Sequence, residues 1–147
     1  MGYALFAQRK LVLTGSLNSV SLQQTQRSNE QYMLSTHTLS LQSQLSSMQA
    51  AQATELAERY EELAETTDST ERESINAMIS SMQEGFKAEL DVINRQIYQV
   101  GVKEQAIELE VKRLDTQYSS LEKQLEAVEE AEGEAIDRAT PKFSGVG

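Results

Sequence analysis

One apolar stripe limits what this chain can become. Ile75, Ile79, Met82, Phe86, Leu90, Ile93, Ile97, Val100, Glu104, Ile107, Val111, Leu114, Tyr118, Leu121, Leu125 and Val128 follow one another at steps of four and three residues. Steps that average 3.5 keep one narrow helix face turned towards a partner helix, the pattern of a coiled coil. The extra four-residue step through Phe86 is a stutter, which locally unwinds a supercoil. At its helical rise the run is roughly 80 Å long. A compact domain of 147 residues is only about 30–40 Å across. The expected fold is all-α and extended, a rod built on a long antiparallel helical hairpin.

Glu104 alone interrupts the stripe. It is expected to reach out to water at the edge of the seam; the competing reading is a buried carboxylate paired to Lys or Arg that fixes register. Gly85 and Gly101 lie inside the run and each costs about 1 kcal/mol relative to Ala. They fit either a close helix approach or a slight bend.

The first half repeats the period more faintly. Leu13, Leu17, Val20, Gln24, Arg27, Gln31, Leu34, Thr38, Leu41, Leu45, Met48 and Gln52 keep the spacing, and Leu56, Tyr60 and Leu63 resume it after another extra four-step. Its chemistry differs from that of the second half. Within 14–54, 24 of 41 positions are Ser, Thr, Asn or Gln. Such a composition also suits disorder, but the regular Leu and Met and the lack of Pro favour a helix. Residues 1–29 carry three bases and no acid, whereas 30–147 carry ten bases and 23 acids, so the net charge of −10 joins a basic start of +3 to an acidic remainder of −13.

These patterns divide the chain into an apolar docking segment (1–13), a polar helix (14–65), a turn (66–70), a heptad helix (71–139) and an extended tail (140–147). Thr70 with Glu73 fits a capping box that starts the second helix, with Asp68 and Glu71 as a less orthodox pair. A link this short folds long helices back antiparallel. Thr140 and Pro141 are expected to end the second helix, leaving Phe143 as an apolar anchor in the tail.

Chemistry is sparse. There is no Cys and a single His, His37, which removes thiolate sites and the usual His-based metal sites. No phosphate loop, His-Glu-x-x-His helix or nucleophile elbow occurs. Paired acids such as Glu129 and Glu130 read as a solvated face, and Glu122 with Glu126 is too exposed a pair for a dedicated cation site. His37 reads as a polar helix residue, with a pH-dependent role as the competing reading. No catalytic, cofactor-binding or metal-binding residue is assigned, no cofactor or small-molecule substrate is expected, and the chain is not read as an enzyme. The acidic charge disfavours nucleic acid.

The terminal segments carry the expected contacts between subunits: Leu5, Phe6, Arg9, Lys10 and Leu13 at one end, and Glu126, Glu130 and Phe143 at the other. A hairpin brings these bases beside the acid-rich stretch of 122–134, within one subunit or between neighbours. Cations among apolar residues also suit a lipid surface; the segment is short and supplies few charges, so docking on protein is preferred. The basic residues fall inside the apolar stretch, unlike those of a cleavable signal peptide. The expected location is therefore cytoplasmic or, for an extracellular filament, outside the cell after export without a leader.

In organisation, stretches 14–52 and 97–128 resemble flagellin and type III secretion filament subunits, which pair a Ser/Thr/Asn/Gln-rich N-terminal helix with a C-terminal coiled-coil helix. The resemblance implies a tube with both helices near its axis and export without a cleaved signal. The apolar start and the tail depart from a typical flagellin terminus. Off the stripes, Leu22, Met33, Leu39, Met78, Val92, Val102 and Leu109 require more helices than one chain supplies, and copies of the chain are the economical source. The expected function is a self-assembling filament or tube subunit whose partner is itself. A coiled-coil adaptor or secretion chaperone, and a peripheral membrane protein held by 1–13, are the alternatives.

Overall fold

The computed structural model describes residues 2–139. Nearly all of them lie in two helices, α1 (Gly2–Glu65) and α2 (Ser69–Ala139), and among the described residues there is no strand. The fold is an all-α antiparallel helical hairpin. The expected helix end at Thr140 and Pro141, and the tail with Phe143, lie outside the described residues.

The apolar segment 2–13 is the beginning of α1, with no break at residue 14. Nothing there opposes a helix, since Pro is absent and Gly15 costs only about 1 kcal/mol. The second boundary also shifts. Helix α2 begins at Ser69 rather than 71, because Asp68 caps it and Thr70 already lies inside it. The Thr70 backbone N–H donates to Asp68 Oδ1 at 3.3 Å, and the Arg72 N–H donates to the Asp68 carbonyl at 2.9 Å. A short acidic side chain at this position satisfies one of the four N–H groups that a helix start leaves without partners.

The end of α1 is closed from the other side of the turn. The Thr66 N–H is shared between the carbonyls of Glu62 and Leu63, at 3.1 and 3.3 Å, and its hydroxyl donates to Glu62 O at 2.7 Å. The last turn of α1 contains no base of its own. Arg72 supplies one, donating from Nη1 to the carbonyls of Leu63 and Thr66, both at 2.8 Å. A cation there meets the negative end of the helix dipole as well as the unpaired carbonyls.

Contacts group into two parts, described separately: a turn part, Tyr32–Ala106, and a terminal part made of Met1–Gln31 and Ile107–Gly147. In the turn part Leu41, Ile75, Ile79, Ile93 and Val100 are buried, together with Gln52. In the terminal part the buried residues are Val20 and Leu114, and Leu114 has no exposed surface. Two-helix packing offers one buried stripe per helix, so the other stripe positions are mostly half-buried and the remaining faces mostly exposed.

Gly85 and Gly101 are not points of close approach within the chain: a Cβ added at either would meet nothing within 4 Å. Gly101→Ala is therefore expected to raise the unfolding free energy by about 1 kcal/mol, read from urea denaturation. A loss of stability would mean that a neighbour absent from a single chain sits against it.

Candidate interaction surfaces

The α2 stripe faces α1 along its length. In the turn part Ile93 and Val100 are buried and Ile97 is half-buried; in the terminal part Leu114 is buried and Ile107, Val111, Tyr118, Leu121, Leu125 and Val128 are half-buried. Tyr60 departs from the α1 stripe. It is 49% exposed and sits at the seam edge, where its hydroxyl accepts from Gln83 Nε2 at 3.2 Å. Arg59 takes the half-buried position beside it.

Polar seam positions meet polar partners across the helices. In the turn part Thr38 Oγ1 donates to Glu104 Oε1 at 3.0 Å. Glu104 thus neither stretches out alone nor pairs with a base; the one polar residue of its stripe meets a polar residue of the other. Gln52 Nε2 reaches Phe86 O at 3.4 Å and Glu89 Oε2 at 3.3 Å. In the terminal part Gln24 Nε2 donates to Asp115 Oδ1 at 2.9 Å. Arg27 Nη1 forks to both Glu30 oxygens at 2.7 and 2.8 Å, while its Nε lies 3.0 Å from Glu110 Oε1. That last contact is an ion pair without the directed geometry of a hydrogen bond. The guanidinium is held above its ordinary pKa, first by the bonds to Glu30 and then by the fields of Glu110 and Glu30.

At the chain ends Leu5 and Arg9 are exposed, Phe6 and Leu13 half-buried, and Glu126 and Glu130 exposed. Phe143 lies outside the described residues. Lys10 is engaged within the chain, with Nζ 2.7 Å from Glu132 Oε2, rather than with Glu126 or Glu130. Among the described residues Arg9 has no ion pair, and it borders an open groove with Leu5, Val12, Leu13, Ala127 and Val128. Glu132 belongs to the acid-rich stretch expected beside Lys10, whereas sequence reasoning did not name Glu110. The only signal of Glu110 is a place at the seam edge, three residues from Ile107 and four from Leu114.

Lys10 is held above its ordinary 10.5 chiefly by its contact with Glu132, with the fields of Glu132 and Glu129 adding to it. A raised base contributes its full stabilisation below 10.5 and loses it as pH climbs through the raised value. The difference in thermal midpoint between the wild type and Lys10→Gln is accordingly expected to be constant at neutral pH and to shrink only above 10.5. A difference that already disappears at mildly alkaline pH would contradict the pairing.

The apolar residues off both stripes stay uncovered. Leu22, Met33, Leu39, Met78, Val92, Val102 and Leu109 are 46–69% exposed, and Tyr32 and Tyr98 are 74% and 73% exposed. Sequence reasoning did not name the two tyrosines, although an aromatic residue off the stripes is a signal that finds them. Among the described residues no group of three or more His, Asp or Glu is placed to hold a metal ion, and no helix is long and apolar enough to cross a membrane. Comparison with protein-family models, curated proteins and solved structures finds no match.

Proposed function

We propose that this chain is a structural subunit that assembles with copies of itself into a filament, tube or similar helical array. The supporting observation is the set of large apolar side chains that the hairpin leaves about half exposed or more on faces away from its own seam. Large apolar surfaces of this kind mark contact sites, and contacts that do not close on themselves build fibres. The exposed Leu5 and Arg9, with Glu126 and Glu130 opposite, supply contacts at the ends of the helices. The partner is the chain itself, and the reading involves no catalytic step, nucleic acid or small-molecule substrate.

Negative-stain microscopy over a concentration series tests this. Filaments or tubes are expected, and deletion of residues 1–13 is expected to abolish them while circular dichroism still shows a helical protein. Discrete particles up to millimolar protein would refute assembly. Flotation with liposomes in place of polymerisation would favour the membrane-anchored alternative, and a stable one-to-one complex with a foreign helix would favour the adaptor.

A further inference from the structure

We infer that the face of α1 turned away from the seam at Tyr32, Met33, Thr36 and Leu39 is a contact between copies, occupied by the same face of a second chain. This rests on the self-assembly reading and names a surface for it distinct from the chain ends.

Helical spacing puts Thr36 opposite the seam positions Leu34, Thr38 and Leu41. Around it Tyr32, Met33 and Leu39 are 67–74% exposed. From Tyr32 to Thr54 the helix has no Asp, Glu, Lys or Arg. Two hydroxyls on this stretch look inward to their own backbone: Thr36 donates to Tyr32 O at 2.9 Å and Thr54 to Ala50 O at 3.0 Å. Covering these two hydroxyls strands no donor.

Charge selects the occupant. A like-on-like contact repeats every charge against itself, and this chain carries −10. Three exposed apolar residues of α2 have an ion next to them in sequence, whereas Met78 and Tyr98 do not: Val92 follows Asp91, Val102 precedes Lys103, and Leu109 stands between Glu108 and Glu110. Two copies meeting there bring like charges together, which is costly. The neutral face of α1 escapes that penalty, and it has no charge with which to recruit a basic or acidic partner. Its area is too small to hold a pair alone, so the contact acts together with those at the chain ends. The charge-free run is about 35 Å long and about 10 Å wide, or about 350 Å² per copy, against about 800 Å² per partner in a stable pair.

Two variants test the surface. Met33→Glu with Leu39→Glu is expected to weaken self-association in sedimentation at least about tenfold, with helicity unchanged. Thr36→Cys, in a chain that has no other Cys, is expected to form a disulfide-linked dimer under oxidised glutathione, while Ala88→Cys on the outer face of α2 does not. If the double variant assembles like the wild type and Thr36→Cys stays monomeric, the surface is wrong and the assembly reading survives. If the wild type is a monomer at millimolar concentration, both fail. If the double variant loses only flotation with phosphatidylcholine vesicles, lipid rather than a second copy covers the face and the inference is overturned.

Discussion

Leu114→Ala is expected to lower the unfolding free energy by about 3 kcal/mol, the largest loss for any single truncation along the seam. The side chain has no exposed surface, and its removal costs both transfer and cavity terms. Its setting increases the damage, because Leu114 lies between two polar connections, Arg27 with Glu110 and Gln24 with Asp115. Water entering the gap weakens both. Leu109→Ala is the control. Leu109 is 68% exposed, so in dilute solution its loss should stay within about 0.5 kcal/mol. Urea denaturation followed by circular dichroism measures the two together, and equal costs would show that Leu114 is not the centre of the terminal part.

The second prediction has the opposite sign. Thr38→Val together with Glu104→Leu is expected to raise stability by about 1–2 kcal/mol, since apolar residues of similar volume often outperform a partly buried polar pair. The gain carries a penalty in specificity: without a polar layer that fits in one register only, the helices gain neighbouring alignments. Thr38→Val alone removes the donor to Glu104 and should lower the thermal midpoint. A double variant that also melts lower would show that the hydrogen bond contributes more than the packing that replaces it.

The two helices and the stripe of α2 were legible because hydrophobic period is a local property of the chain. Partner identity was not. Glu104 could be recognised as a break in the stripe, but whether it meets water, a base or Thr38 depends on axial register, which spans 66 residues of sequence between the two. Lys10 posed the same problem: the acid-rich stretch was visible, while the choice of Glu132 over Glu126 or Glu130 is set by side-chain geometry. At the turn, competing caps within five residues differ by too little for composition to decide. There Asp68 prevails, and Arg72, which closes α1 from outside it, carries no local mark of that role. The uncovered apolar residues were readable as residues without a partner, and the hairpin leaves them so.

The cross-helix hydrogen bonds also imply an order of events during folding. Their sequence separations widen from 23 residues at Tyr60 and Gln83, through 37 and 66, to 91 at Gln24 and Asp115. Each bond formed near the turn shortens the loop that the next must close, which lowers its entropic cost. The chain can therefore close like a zipper from its Arg72 end, and during synthesis the N-terminal strand of that zipper must wait for its partner to leave the ribosome.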